Sequence, residues 1–140
     1  MLNPGNSYQT MGGNPYQKTQ VTSSNPEKIL IMLYDGAINF TKIALDKMNK
    51  GDRAGKGKFI GNAQAIIAEL MNTLNHDAAP VIAKDLERLY IYLIDEYIAA
   101  NISNAPKHLD NIIRILTIMR DTWSEAVEVA KKERISGVFR

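Results

Sequence analysis

Three short breaks dictate what this chain can become. Residues 51–57 (Gly51-Asp52-Arg53-Ala54-Gly55-Lys56-Gly57), 75–80 (Asn75-His76-Asp77-Ala78-Ala79-Pro80) and 103–106 (Ser103-Asn104-Ala105-Pro106) concentrate glycine, proline and small polar side chains. Around them apolar residues recur every three or four positions, the period of one helix face, and no useful length alternates as a half-buried strand does. The spacing predicts helices over residues 26–48, 58–74, 81–102 and 107–133. Asn25 is placed to cap the first, Pro26 suits the first helical position, and Glu27 complements the positive end of the dipole. Ser24 with Glu27 also fits a capping box, which moves that boundary by one residue. Four helices on such short connections pack most simply as an antiparallel up-down bundle. The expected fold is all-α, with a four-helix bundle over 24–134 and a frayed tail over 135–140. Residues 1–23 carry Gly, Asn, Ser, Thr and Gln with almost no aliphatic content before Val21, so they are expected to form a mobile N-terminal arm.

Composition narrows the function by exclusion. The 140 residues, 45% of them apolar, suit one domain with one core. Seventeen basic residues against 15 acidic ones make no strong field, which speaks against nucleic acid or an anionic membrane as partner. Cysteine is absent, and with it disulfides, thiolate nucleophiles and sulfur-ligated metals. The amino end lacks the basic start and apolar run of a secretory signal, and no segment reaches the ~18 apolar residues of a membrane span. A cytoplasmic protein without membrane insertion is the expectation.

Catalytic constellations are equally scarce. His76 and His108 lie at predicted helix ends and read as solvated or cap-like. No Glu-x-x-His pair occurs, so the ligand motif of di-iron bundles is missing. Asp95 and Glu96 point about 100° apart on a helix, poor geometry for sharing a metal or proton, and read as solvated. Residues 51–58 do not match a phosphate loop, so Lys50, Arg53, Lys56 and Lys58 read as a solvated basic loop. Lys131, Lys132 and Arg134 mainly complement the dipole of the last helix. No catalytic residue, metal or cofactor is expected, and the chain does not read as an enzyme.

The informative surplus is apolar. In the third helix Ile82, Leu86, Leu89, Tyr90, Leu93, Ile94 and Tyr97 make a full core stripe, yet Ile91, Ile98 and Ile102 gather on roughly the opposite side with Lys84 and Asp95. The fourth helix repeats this, with Leu109, Ile112, Ile113, Leu116, Met119, Trp123, Val127 and Ala130 inside and Ile115, Ile118 and Val129 outside. The first adds Ile31, Tyr34, Ile38 and Leu45. These second stripes could meet one another, but one central core does not hide three helices that are each apolar on two sides. Burying one Ile or Leu is worth about 1.5–3 kcal/mol, so a few exposed together make a groove suited to an apolar helix or an extended chain. A homodimer would use the same surface, which leaves a helical structural homodimer or adaptor as the alternative reading.

Several segments also carry a resemblance. Asn14-Pro15-Tyr16 and Val21, then Ser24-Asn25-Pro26-Glu27 and Ile31-Met32-Leu33-Tyr34-Asp35-Gly36-Ala37-Ile38, resemble the FliS family of flagellin-specific export chaperones. Ala63-Gln64-Ala65-Ile66-Ile67-Ala68-Glu69-Leu70, Leu89-Tyr90-Ile91-Tyr92 with Ala100-Asn101, and Arg120-Asp121-Thr122-Trp123 continue it in order. Ile91 follows Tyr90 where the family usually has an acidic residue. The resemblance implies a non-enzymatic cytoplasmic chaperone. It would hold the disordered C-terminal segment of flagellin, prevent premature polymerisation, and deliver the subunit to the flagellar type III export gate. It also implies an arm that occupies part of the binding surface when flagellin is absent, with Tyr16 and Val21 at positions for arm capping or contact with an export-gate component. Helical phase makes Ile31, Tyr34, Ile38, Ile91, Ile98, Ile102, Ile115 and Ile118 the candidate groove residues.

Overall fold

Proline and a single turn glycine place the helix ends. In the computed structural model, which describes residues 26–138 and of 133–138 the backbone alone, the helices are α1 (Pro26–Asn49), α2 (Arg53–Asn72), α3 (Pro80–Ser103) and α4 (Pro106–Val138). Pro26, Pro80 and Pro106 each open a helix where a missing N–H is harmless. Among the described residues there is no strand. The expected caps Asn25 and Ser24, and the arm itself, lie outside the described residues.

The turn after α1 is tighter than its glycine content suggests. Gly51 sits at φ +76°, and the N–H groups of Gly51 and Asp52 return to the carbonyls of Met48 and Lys47, which satisfies two terminal acceptors at once. Asp52 then caps α2 by accepting from the Gly55 N–H at 2.9 Å. The helix therefore begins at Arg53, and Gly55 and Gly57, expected in a loop, stand within it. At the other end of the chain α4 continues to Val138, beyond the expected stop near residue 133, since no proline and no glycine before Gly137 interrupts it.

Two units divide the chain, Met1–Met32 and Leu33–Arg140, with the boundary inside α1; the packing described from here on belongs to the second. Named contacts fix its topology. Phe40 of α1 meets Phe59 of α2 at 6.0 Å between ring centroids, and a Cβ on Gly36 would stand 3.1 Å from Ile66 Cδ1, so α1 and α2 run antiparallel. Lys56 at the start of α2 reaches Asn101 and Asn104 at the end of α3. His108 at the start of α4 bonds Glu96 late in α3, and Arg120 and Trp123 of α4 bond Asp35 and Tyr34 of α1. Each helix is thus flanked by its two antiparallel neighbours, an up-down four-helix bundle in which α1 and α3 form a diagonal pair.

That diagonal is held by hydroxyls. Tyr34 and Tyr90 share a hydrogen bond of 2.5 Å, and Thr41 and Tyr97 one of 2.6 Å, each across 56 residues. Thr41 Oγ1 donates its proton to the Ala37 carbonyl at 2.6 Å, so the Tyr97 hydroxyl is the donor to Thr41. Trp123 Nε1–H donates to the Tyr34 oxygen at 3.1 Å. The fully buried Ile60, Ile67, Leu70, Leu93, Leu109, Ile112 and Leu116 form the apolar surround. Three placements differ from the sequence expectation. Tyr34 and Ile38, expected on an outer stripe, are buried, because the inward row of α1 is Tyr34, Ala37, Ile38, Thr41, Ala44 and Met48. Ala37, Thr41 and Ala44 in that row leave room for the tyrosines of α3. Ile82, expected in the core, is exposed on the first turn of α3.

Burial makes these phenols harder to ionise. It raises Tyr34 and Tyr90, and it pushes Tyr97 up to about 12 from 10.0. Below pH 10 both folded and unfolded chains keep these protons. Above it the unfolded chain releases them first and binds fewer than the folded one, so stability falls as pH rises. The expected slope is about 1.4 kcal/mol per pH unit for each such phenol, for Tyr97 across the window from pH 10 to about 12. Urea midpoints measured through this window should fall steeply, and less so for Tyr97→Phe; a slope equal in the two proteins would exclude Tyr97 as a contributor.

Candidate functional site

The outer isoleucines do not form one patch. On α3 the side that faces α2 is marked by Asn101, whose Oδ1 lies 4.0 Å from where a Cβ on Gly57 would stand. Ile94, Ile98, Ile91 and Ile102 follow Asn101 around the helix toward solvent on that same side. Ile91 and Ile98 are each 46% exposed and Ile102 81%, while Ile94 is half-buried. Opposite them α2 presents Gly57, Gly61, Gln64 and Ala68. A Cβ on Gly61 would meet nothing within 4 Å. One wall of this groove is a row of isoleucines, and the other combines bare backbone at Gly57 and Gly61 with Gln64 and the small Ala68.

Ile115 and Ile118 belong to a second groove, between α3 and α4. Ile118 is exposed and Ile115 half-buried, and helical phase puts both, with Val129, on the side of α4 that carries His108 and Asn111. Tyr92 from α3 lies along it, its oxygen accepting from Asn111 Nδ2 at 2.9 Å. Lys84, Arg88 and Asp95 run along α3 between the two grooves. Of the remaining candidates, Tyr34 and Ile38 are interior, Ile31 is a partly exposed member of the other unit, and Tyr16 and Val21 lie outside the described residues.

Three polar residues behave otherwise than their sequence context suggests. Glu96, read as solvated, is largely covered and accepts from Asn111 Nδ2 at 2.9 Å while its other oxygen bonds His108 Nδ1 at 3.1 Å. His108 is thereby part of an inter-helix polar cluster, which Arg114 extends by donating to Asn111 Oδ1 at 2.7 Å. Lys56, read as part of a solvated loop, is only 4% exposed. Among the described residues no group of three or more His, Cys, Asp or Glu is placed to hold a metal ion, and no helix is long and apolar enough to cross a membrane. This surface offers apolar area with a polar divide, the chemistry of docking.

The segments that carried the resemblance converge on one point. Tyr34 bonds Tyr90 and Trp123, Asp35 accepts from Arg120 Nε at 2.8 Å, and Gly36 leaves space for Ile66. A family model described as flagellar protein FliS matches residues 8–130. The chain belongs to the FliS family. It is 29% identical over 119 residues to the flagellar secretion chaperone FliS of Bacillus subtilis, covering 85% of this chain and 88% of that one. The corresponding protein of Vibrio cholerae is 32% identical over 107 residues, 76% of this chain and 79% of its own. A solved structure described as a flagellar chaperone from bacteria shares the fold, with a TM-score of 0.70 over 81% of this chain and 95% of that chain at 21% identity.

Within this FliS member the quoted markers are mostly packing residues. Tyr34, Tyr90 and Gly36 set how α1, α3 and α2 approach, so these parts of the motif specify the bundle. Gly57, Gly61 and Ala68, which helical phase groups beside the isoleucines, were not evident as site residues. Their signal is small residues four and seven apart on one outward face, and apolar periodicity does not register it.

Proposed function

We propose that this FliS-family chain is a cytoplasmic flagellar secretion chaperone that binds the C-terminal segment of flagellin, keeps it from polymerising early and delivers it to the export gate. The feature that supports the reading is the α2–α3 side of the bundle, where exposed Ile91, Ile98 and Ile102 share, by helical phase, an outward face with Gly57, Gly61 and Ala68. A client helix with an apolar stripe can lower its backbone against the glycines while its side chains meet the isoleucines. Ile115 and Ile118 in the neighbouring groove suit a second piece of the same wrapped segment, since Lys84, Arg88 and Asp95 interrupt the apolar surface between them. The family names of the relatives support the client class. No step in this function needs a catalytic residue, metal or cofactor.

Titration calorimetry against a peptide of the flagellin C-terminal segment tests the reading. Submicromolar binding with a clearly negative heat-capacity change is expected. Tighter binding after removal of residues 1–23 would show that the arm competes for the surface. Absence of binding with and without those residues would remove the function and leave the fold.

Gly61 gives a test in which stability and binding move in opposite directions. Gly61→Leu should stabilise the exposed middle of α2 by about 0.5–1 kcal/mol through helix propensity, since its Cβ meets nothing. The same side chain fills the groove, so client affinity should fall by more than about tenfold. Unaltered affinity, measured beside a raised urea midpoint, would move the docking site off α2.

A further inference from the structure

The end of α3 is short of hydrogen-bond donors. Asn104 N–H closes on the Ala100 carbonyl at 2.9 Å. The Ala105 N–H, which could close on Asn101, is turned to Ser103 Oγ at 3.2 Å, and Pro106, four residues after Ile102, has no N–H to give. Lys56 reaches into this gap from α2. Its Nζ donates to the Asn101 carbonyl at 3.1 Å and to Asn104 Oδ1 at 3.0 Å, and Asn104 holds the left-handed φ of 57° that ends the helix.

Among the described residues no carboxylate forms an ion pair with this ammonium, although it is nearly fully buried. Its compensation is neutral acceptors and the negative end of the α3 dipole. An unbranched apolar side chain would occupy the same space without the desolvation penalty, so stability alone does not account for a lysine here. What the lysine does that an apolar residue would not is close the last turn of α3. Ile102 stands on that turn, 81% exposed, between the two residues Lys56 binds.

We infer that Lys56 is a positioning residue for client docking, which sets the outward direction of Ile102 by fixing the end of α3. The inference rests on the groove proposed above. Lys56 does not touch the client; it keeps the isoleucine wall from fraying, so the wall is ordered before the client arrives.

Lys56→Met keeps an unbranched stem of similar length and removes the donors. Peptide affinity should fall about tenfold through lost preorganisation, and hydrogen exchange should show protection lost in the last turn of α3. In the Lys56→Met background Ile102→Ala should weaken binding far less than it does in the unaltered chain. Such non-additivity would not arise from a general loosening of the bundle. Unchanged affinity, or losses that simply add, would overturn the inference. Asn104→Gly removes one acceptor while retaining a residue suited to the left-handed turn, and should give a smaller loss in the same direction. It decides the question if Lys56→Met does not fold, and wild-type affinity in Asn104→Gly would then count against Lys56. If the unaltered chain does not bind the peptide, the client reading fails and this inference with it; if it binds and Lys56→Met binds equally well, the inference alone fails.

Discussion

Tyr34→Ala should destabilise the bundle by about 3–5 kcal/mol, the range for deleting a large buried aromatic side chain. Tyr34 is fully buried on the central row of α1 and joins three helices through one oxygen, bonded to Tyr90 of α3 and accepting from Trp123 of α4. Tyr34→Phe separates packing from hydrogen bonding. It keeps the ring and leaves the Trp123 N–H and the Tyr90 hydroxyl without their partner, for an expected loss of about 1–3 kcal/mol. Trp123 is the single tryptophan, so its fluorescence reports the transition directly, and urea midpoints at constant slope give both values. A Tyr34→Phe protein as stable as the unaltered one would mean that both groups find other partners, and the oxygen would then lose its place as the hub of the core.

Ile98→Asp should act almost wholly on binding. The residue is half-exposed on an outer face of α3, so a carboxylate there reaches water in the free protein and the helix content should survive. Docking a client over it would strip that water from a charge with no partner in an isoleucine wall, which is unfavourable. Affinity for the flagellin C-terminal peptide should therefore drop by more than about tenfold with an unchanged circular dichroism spectrum. Ile118→Asp in the other groove makes the informative companion: a loss in both places the client across both grooves, and a loss in Ile98→Asp alone confines it to α2–α3. Full affinity in Ile98→Asp would exclude this residue as a contact.

The helices were legible because their signals are local. Pro80 and Pro106 open α3 and α4, and the outer setting of Ile91, Ile98 and Ile102 follows from period alone. What was not legible depends on partners far along the chain. The phase of α1 does not follow from periodicity because its inward row mixes Ala37, Thr41 and Ala44 with Tyr34 and Ile38, and these small or hydroxyl residues become core only when large α3 tyrosines fill the space above them. Lys56 looked like loop charge because its acceptors lie on α3, 45 and 48 residues away. Glu96 looked solvated for the same reason, its partners His108 and Asn111 being on the next helix. The start of α2 was hidden by its glycines, although Asp52 three residues before Gly55 is a cap signal that outweighs them.

The two diagonal hydroxyl pairs share one offset of 56 residues and stand two helical turns apart. They act together as a vernier: α3 cannot slide along α1 without breaking both pairs at once and leaving the buried Tyr90 and Tyr97 hydroxyls unmatched. The bundle therefore has one axial setting, and the outer row of α3 keeps a constant pitch whether or not anything lies against it. A disordered client that binds such a ruler supplies nearly all of the ordering entropy itself, so differences in affinity among client sequences should follow how readily each adopts the bound shape.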